Sequence, residues 1–336
     1  MSAFFDSIAP NAAGSAYATP LADYTVISAS GADALSFLHG QLTQDVTGLP
    51  PDTASLAGYC TAKGRLLATL VMWRAPADQT SGDAPDAPQW YALVRRDLAE
   101  ALIKRLSMFV LRAKAKLAPA ALQAAGVWAE PADLAALETA AGGSLPTVPW
   151  QRAELLSGTW IAAPSVSGGL RWWWIASTAQ QQQTTVLGTQ LRLGDADQWR
   201  AADLAAGLPW VGAGTQDLFI PQTLNLDLIG GVSFTKGCYP GQEIVARSHY
   251  RGTVKRRTAY GRWDPVTEPP APGTDIYDAN QPDDPCGRIV DASREGALFE
   301  IALAALDGDL RVGAADGPKL TVTPLPYDLA DGGFKQ

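Results

Sequence analysis

The chain has 336 residues, a formal net charge of −8, and apolar and charged shares of 47% and 18%. This length allows two or three domains with their own apolar cores, and the composition is that of a globular protein. The negative charge argues against nonspecific nucleic-acid binding. The lack of an apolar run of about 18 residues argues against a membrane span.

The cysteines exclude two classes of covalent or metal scaffold. Cys60, Cys238 and Cys286 are too few and too widely spaced for a disulfide framework or a zinc site. The segment MSAFFDSIAPNAAGSAY has neither the basic nor the apolar region of a signal peptide. We therefore expect a protein of the reducing cytoplasm.

The first part of the chain predicts strands around one helix. A β-prone run covers residues 24–29, and Asp33 stands at the N-cap position of a predicted helix with leucines along one side. Residues 56–60 and 66–73 have the composition of strands. The turn TAKG joins them and places Gly64 where positive φ is favoured.

A surface loop and three further elements follow. The composition of residues 76–88 indicates the loop. A strand is predicted over WYALVRR, a helix begins at Asp97, and residues 109–119 alternate like a strand. With the two preceding strands they make a β-β-β-α-β unit, which is typical of a small α+β domain.

The remainder changes from helical to β-rich patterns. Residues 118–145 are Ala-rich and predict helix, residues 170–177 predict a strand, and the tract QQQQTT indicates a linker or helix start. The segment DADQWRAADLAAGLP predicts a helix that Gly207 and Pro209 end. After about residue 255, short β-prone runs between Pro, Gly and Asp clusters indicate a small barrel or sandwich.

The segment FTKGCYPGQE contains a cysteine between closely spaced glycines. A free cysteine is commonly an inert, buried small side chain. Gly237, Gly241 and Pro240 nevertheless indicate tight turns, and Lys236 next to Cys238 would favour a thiolate. A packing role and a functional thiol both remain open from these residues.

The positions of the two histidines argue against a Cys–His hydrolase. A catalytic pair needs the two side chains in contact, and His249 follows Cys238 by eleven residues with no evident acidic partner. The other histidine is His39. No set of four Cys and His ligands is available for zinc.

A basic stretch follows this segment. It contains no acid, and it is either a solvated face or an anion-binding surface. Its five basic residues are Arg247, Arg251, Lys255, Arg256 and Arg257.

GVSFTKGCYPGQEIVARSHYRGTVKRR closely resembles the K-G-C-Y-x-G-Q-E signature of the YgfZ family. The segments GADALSFLHGQLTQDV, TAKGRLLATLVMWR, PQTLNLDLIGG and PLPYDL also fit that family, so the resemblance runs from about residue 20 to 330. Members are folate-binding proteins tied to iron–sulfur proteins and to tRNA modification. The family is similar to the aminomethyltransferase (T-protein) of the glycine cleavage system.

The resemblance implies an α+β, aminomethyltransferase-like fold. Two ferredoxin-like α/β regions, one inserted in the other, and a C-terminal small β-barrel would surround a central channel. The expected domains are 1–53 with 119–245 for folate binding, 54–118 as the inserted domain, and 246–336 as the barrel.

The resemblance also assigns roles within the signature. Cys238 would be the functional thiol, and Lys236 would tune the pKa of that thiol. Gln242, Glu243 and Arg247 would complete a polar network. The residues that would shape the turn are Gly237, Tyr239 and Gly241. One cysteine cannot hold an iron–sulfur cluster alone, so we expect no stably bound metal.

The expected cofactor is tetrahydrofolate or another reduced folate. The family's folate-contacting aromatics match Tyr24 and Trp199, and Arg247 is a candidate for an anionic part of the ligand. Of the WWW run, Trp172 and Trp174 share one face of a strand, where core and channel lining are equally open.

Departures from the transferase pattern separate two activities. Its two acids in G-G-x-x-D-D match Ala68 and Thr69, and its pterin-binding Glu matches Ala205, with Asp203 nearby as a substitute. We therefore expect an accessory protein that supports assembly or repair of iron–sulfur enzymes rather than a classical aminomethyltransferase. A folate-dependent one-carbon transferase is the alternative, and a folate-independent scaffold is a third reading.

The expected partners are iron–sulfur proteins such as radical tRNA-thiolating enzymes, which gives an indirect link to tRNA. No RNA-binding module is present in the sequence, so direct sequence-specific contact with nucleic acid is not expected. We expect a monomer that does not associate with membranes.

Overall fold

The computed structural model describes residues 3–8, 16–76, 87–166, 168–250 and 254–329. The chain divides into two compact units. Unit 1 consists of Met1–Phe37, Thr47–Ser55 and Val71–Trp199. Unit 2 consists of Leu38–Val46, Leu56–Leu70 and Arg200–Gln336.

The structure combines strands and short helices. The strands are β1 (Ala16–Pro20), β2 (Tyr24–Ser30), β3 (Ala54–Cys60), β4 (Leu66–Arg74), β5 (Pro88–Arg95), β6 (Lys116–Pro119), β7 (Gln123–Ala129), β8 (Arg152–Leu155), β9 (Gly158–Ala162), β10 (Leu170–Ala176), β11 (Leu191–Leu193), β12 (Arg256–Arg262), β13 (Asp275–Asp278), β14 (Gly287–Ser293), β15 (Gly296–Ala302), β16 (Leu310–Val312) and β17 (Thr321–Thr323). The helices are α1 (Ala3–Asp6), α2 (Ala34–His39), α3 (Arg96–Ser107), α4 (Leu134–Ala141), α5 (Thr178–Gln183), α6 (Thr185–Gln190), α7 (Ala196–Ala205) and α8 (Gln242–Tyr250).

A six-stranded sheet in unit 1 has the order β11-β1-β7-β10-β9-β8. The prediction of helix over residues 118–145 is wrong for its first half, because residues 123–129 form β7. That strand pairs antiparallel with both β1 and β10. An Ala-rich segment has helical propensity, but pairing on both sides and burial of Ala125 and Val127 outweigh it. Only α4 within that range is α-helical.

The tryptophans of β10 form part of the core of unit 1. Trp172 and Trp174 belong to a buried apolar cluster with Trp160, and the rings of Trp160 and Trp174 stack with centroids 5.5 Å apart. The indole N–H groups of Trp172 and Trp174 donate to the carbonyls of Pro146 and Ser157. These two side chains are therefore core residues.

A five-stranded sheet has the order β3-β4-β5-β2-β6. The predicted β-β-β-α-β unit is confirmed by β3, β4, β5, α3 and β6, and α3 buries Leu98, Leu102 and Leu106. The predicted strand over 109–119 is shorter, since only β6 is extended. Phe109 and Val110 instead donate main-chain hydrogen bonds to the last turn of α3.

The predicted β-rich C-terminal part is confirmed in unit 2. Its six-stranded sheet has the order β16-β13-β14-β15-β12-β17, and every neighbouring pair is antiparallel. The largest aromatic side chains of its core are Phe299 and Trp263. Six of the seven residues of β14 and six of the seven of β15 are buried, so these central strands are covered on both faces.

Several local predictions can be compared with the structure. Gly64 has φ of +71°, and α7 ends before Gly207, which has φ of +71°. Asp33 precedes α2, but its carboxylate accepts the main-chain N–H of Lys114 rather than one from the helix. Most of the predicted loop at 76–88 lies outside the described residues.

Within the described part of the chain, no helix is long and apolar enough to cross a membrane. The two compact units do not test the finer three-part division at residues 53, 118 and 245, which stays a prediction.

Candidate functional site

Cys238 lies on an irregular segment immediately before α8. Cys238 is exposed, whereas Lys236 and Tyr239 on either side of it are only 9% and 6% exposed. Lys236 and Tyr239 are therefore buried within unit 2, while the Cys238 thiol between them faces solvent. A helix begins at Gln242.

Lys236 anchors the segment to a distant part of the chain. Its ammonium donates to the carbonyl of His39, where α2 ends, and to the carbonyl of Leu42 at 2.6 Å. The same Nζ lies 5.0 Å from the ring centroid of Tyr239. Burial lowers the pKa of Lys236 to about 8, while Asp45 and then Cys238 act in the opposite direction.

Gly241 is held by a close approach of two turns. Its φ is +80°, and a Cβ there would lie 2.4 Å from the carbonyl oxygen of Thr61 and 2.6 Å from Cα of Gly64. Any side chain would collide with main-chain atoms, so the position requires glycine. The TAKG turn between β3 and β4 and the turn after Cys238 are thereby packed together within unit 2.

His39 lies near the signature segment, which the sequence reasoning missed. Its Nδ1 is 3.0 Å from Oδ1 of Asp45, and its Nε2 would lie 3.8 Å from a Cβ placed on Gly237. The sequence offered His249 as the histidine nearest to Cys238 along the chain, and its side chain lies outside the described residues. The signal was the short spacing of His39 and Asp45 in HGQLTQD, within a segment that already matched the family.

The three cysteines are free and differ in accessibility. Cys60 is buried, Cys286 is half-buried and Cys238 is exposed. Burial raises the pKa of the Cys60 thiol to about 12, so that thiol stays protonated and unreactive at neutral pH. Burial also raises the pKa of the neighbouring Tyr239 hydroxyl.

The remaining signature residues lie at the start of α8. Gln242 is half-buried, and Glu243 and Arg247 are exposed. Among the described residues, no side-chain hydrogen bond or ion pair connects these three to the thiol segment. Their proposed polar network stays a prediction.

Trp199 is packed on its ring faces. The guanidinium of Arg171 lies 4.0 Å from the ring centroid, and a Cβ on Gly126 would lie 2.3 Å from the indole. Trp199 is 2% exposed, and its Nε1 is buried without a hydrogen-bond acceptor among the described residues. Arg171 therefore occupies a ring face that a stacked pterin would need, and the buried N–H is a donor without an acceptor among the described residues.

Tyr24 begins β2 in unit 1 and is 4% exposed. The guanidinium of Arg95 lies over its ring at 5.2 Å from the centroid. Arg96 donates to the Tyr24 carbonyl. Tyr24 and Trp199 belong to unit 1, whereas Arg247 belongs to unit 2.

The positions that match the transferase acids have structural roles here. Ala68 is buried in β4. Thr69 donates to the carbonyl of Pro209 and accepts the N–H of Val211, both at 2.9 Å. Asp203 is fully buried and accepts the indole N–H of Trp210 at 3.0 Å. Neither Ala68 nor Thr69 brings a carboxylate to β4.

The basic stretch separates into two different environments. Arg257 is buried, forms an ion pair of 2.6 Å with Asp227, and donates to the carbonyl of Gln222. Arg256 is half-buried and binds both carboxylate oxygens of Glu300. Arg251 lies outside the described residues. Across the described ranges, no group of three or more Cys, His, Asp or Glu side chains is arranged to hold a metal ion.

Comparisons with known proteins place these features in context. The chain is 31% identical to the tRNA-modifying protein YgfZ of Edwardsiella ictaluri, over 91% of each chain. It is 30% identical to the protein of the same name from Pectobacterium carotovorum, over 93% of this chain and 91% of the relative. No family model matches.

The fold has a solved counterpart. The glycine cleavage system aminomethyltransferase T from Bartonella henselae superposes with a TM-score of 0.67, over 97% of this chain and 89% of that protein, at 13% identity. The predicted aminomethyltransferase-like α+β fold is thus confirmed.

Proposed function

Since the chain belongs to the YgfZ family of tRNA-modifying proteins, we propose that it is a cytoplasmic, folate-binding accessory protein. It supports the assembly or repair of iron–sulfur enzymes, including radical enzymes that thiolate tRNA. Cys238 is the thiol that contacts these clients. The chain itself contacts tRNA only through them.

The observation that carries this proposal is an exposed thiol on a fixed main chain. Cys238 is exposed, and its buried neighbour Lys236 is hydrogen-bonded to two carbonyls of the 38–46 segment. Gly241 packs directly on the TAKG turn. A thiol that served only packing would be buried, as Cys60 is, so the arrangement supports a role that requires access.

The proposed folate site uses Trp199 as a hydrogen-bond donor. A buried indole N–H without an acceptor costs free energy, and a ligand oxygen or ring nitrogen would satisfy it. The pterin and the benzoyl amide of a reduced folate both carry such acceptors. The chain's part in this proposal is to bind and orient the folate.

The environment of β4 argues against the alternative of a one-carbon transferase. Ala68 offers no acid–base group, and the Thr69 hydroxyl is already bonded to two main-chain groups. An assay with an aminomethyl-lipoyl donor and tetrahydrofolate should show no methylene transfer. Robust transfer would establish the alternative.

Replacement of Cys238 tests the thiol. In a strain that lacks the gene, Cys238→Ser should fail to restore the activity of iron–sulfur tRNA-thiolating enzymes under oxidative stress. Cys286→Ser is the matched control, because Cys286 is also a free cysteine of unit 2. It lies outside the signature, so this variant should restore the activity. Full complementation by Cys238→Ser would reduce the thiol to a surface residue.

Calorimetry with tetrahydrofolate tests the cofactor. Trp199→Phe keeps most of the ring packing and removes the N–H, so affinity should fall about tenfold, in line with one lost buried hydrogen bond of ~1.4 kcal/mol. Trp90→Phe is the matched control, since Trp90 is also buried with an Nε1 that no described group accepts. Absence of binding by the unmodified protein would remove folate from the proposal.

A further inference from the structure

Unit 2 contains a recess whose lining includes none of residues 234–243. Its volume is about 370 Å³, which is within the range of small-molecule sites. The charged side chains in its wall are Arg65, Arg256, Arg288, Asp275 and Glu300. Three cations therefore face two anions, and the lining has an excess of one positive charge.

Two of the arginines are already paired with the two acids. Arg256 binds Glu300 through Nε and Nη2, at 2.6 and 2.8 Å, and Nη2 also reaches the carbonyl of Cys286. Arg288 binds Oδ1 of Asp275 through Nε and Nη2, both at 2.8 Å. The pairs hold the guanidinium groups in fixed orientations and leave Nη1 of each without a partner among the described residues.

Arg65 is the cation of this lining that no acid among the described residues compensates. Its Nη1 donates to the carbonyl of Leu218 at 2.7 Å and to the carbonyl of Asp217 at 3.4 Å. Both acceptors are neutral main-chain groups in the part of the chain that the structure describes. They orient the guanidinium while its charge, Nε and Nη2 stay available.

This distribution suits an anion better than a cation or a neutral ligand. A guanidinium carries five N–H donors and binds carboxylate or phosphate oxygens in a two-pronged manner. Because the guanidinium groups are already oriented before a ligand arrives, the entropic cost of binding is lower. Leu218, Phe219 and Ile220 add apolar side chains to the lining.

We propose that this recess binds a small polyanion through Arg65, with Arg256 and Arg288 completing the site. The ligand carries at least two phosphate or carboxylate groups. Within the basic stretch, Arg256 would thus bind the anion, whereas Arg257 forms a buried ion pair with Asp227. It requires neither folate nor Cys238.

Calorimetry at low ionic strength with inorganic pyrophosphate and, separately, citrate tests the site. We expect saturable binding of at least one probe with one site per chain, which weakens as salt rises. The tighter probe assigns the site to phosphate or to carboxylate groups. Failure of both probes to bind would overturn the proposal.

Variants locate the binding. Arg65→Ala should weaken the tighter probe at least tenfold, and Arg288→Ala should also weaken it. Arg262→Ala is the matched control, because Arg262 is an exposed arginine of β12 that pairs with Glu295 outside the recess. Equal affinities for Arg65→Ala and the unmodified protein, or an equal loss in Arg262→Ala, would contradict the assignment. Thermal melts confirm folding, and if Arg65→Ala is unfolded, Arg288→Ala decides.

Discussion

The tryptophan cluster of unit 1 and the signature segment of unit 2 hold their side chains by opposite means. In the cluster, Trp160, Trp172 and Trp174 are each at most 1% exposed, and apolar contact surrounds them. In the signature segment, Cys238 is exposed, and the anchors are the Lys236 ammonium and the main chain at Gly241.

The difference shows where each region is sensitive to substitution. A buried ring contributes through the area that it removes from water and through close packing, so its loss destabilises the whole unit. An exposed thiol contributes little to folding, and its position depends on a few hydrogen bonds and on backbone geometry. Stability measurements should therefore separate the two regions, and the following variants do so in order of expected effect.

Trp174→Ala should produce the largest loss of stability. The change removes a fully buried ring that stacks on Trp160 and contacts Phe4, and such truncations cost ~3–5 kcal/mol. Urea unfolding measures the loss. Val186→Ala, at a residue of α6 that is 60% exposed, is the control, with an expected change within about 0.5 kcal/mol. A loss below about 1 kcal/mol for Trp174→Ala would contradict the account of the core.

Gly241→Ala and Gly237→Ala should differ sharply although both lie in one signature. At Gly241 the new Cβ meets main-chain atoms at a φ of +80°, and left-handed strain alone costs ~1–2 kcal/mol, so a loss of at least about 2 kcal/mol is expected. At Gly237 the nearest atom is 3.8 Å away, and φ is not positive. We expect a change within about 0.5 kcal/mol there. Equal losses in urea unfolding would show that the turn contact does not fix this segment.

Some elements of the fold can be predicted from the sequence, and others cannot. Strands such as β10 and β14 follow from β-branched and aromatic runs, and Gly64 follows from a turn signal. The strand β7 could not be predicted, because its Ala-rich sequence has only Val127 and Trp128 as β-prone residues and its conformation comes from pairing with β1 and β10. Propensity describes the isolated segment, and the sheet provides the competing energy.

The candidate site divides in the same way. A family signature identifies Cys238, Lys236 and Gly241 as a group. It does not reveal that Lys236 reaches the carbonyls of His39 and Leu42, because these residues lie 197 and 194 positions away in the sequence. The different environments of Arg256 and Arg257, by contrast, follow from strand alternation, which places adjacent side chains on opposite faces.

Thr43→Val should have an intermediate effect. The Thr43 hydroxyl is fully buried, donates to the carbonyl of Gly231 at 2.6 Å and accepts the N–H of Gly58 at 2.7 Å. Valine keeps the shape and leaves two buried main-chain groups without partners, for a loss of ~1–3 kcal/mol in urea unfolding. Thr43→Ser retains the hydroxyl and should lose about 1 kcal/mol or less. The reverse order would show that the methyl group, and not the hydrogen bonds, stabilises the connection to Gly231.

The smallest effect is a pH dependence that comes from Lys236. Burial lowers its pKa from 10.5 to about 8. Between these two values the unfolded chain binds more protons than the native protein, so the Lys236 contribution makes the free energy of unfolding rise with pH. Cys60 acts in the opposite direction above pH 9, because burial raises the pKa of its thiol from 9.0 to about 12. Between pH 8 and 9 the lysine contribution is the larger of the two, because Cys60 of the unfolded chain titrates only in part there.

Lys236→Met removes the titrating group and keeps a long apolar stem. Its free energy of unfolding should rise less between pH 8 and 9 than that of the unmodified protein, even though the variant is less stable throughout because two carbonyls lose their donor. Urea unfolding in steps of half a pH unit measures the slope. Lys255→Met, at an exposed lysine of the same unit, should leave that slope unchanged. Parallel curves for Lys236→Met and the unmodified protein would mean that the ammonium next to Cys238 is not desolvated, and the thiol segment would then lose the anchor that distinguishes it from a surface loop.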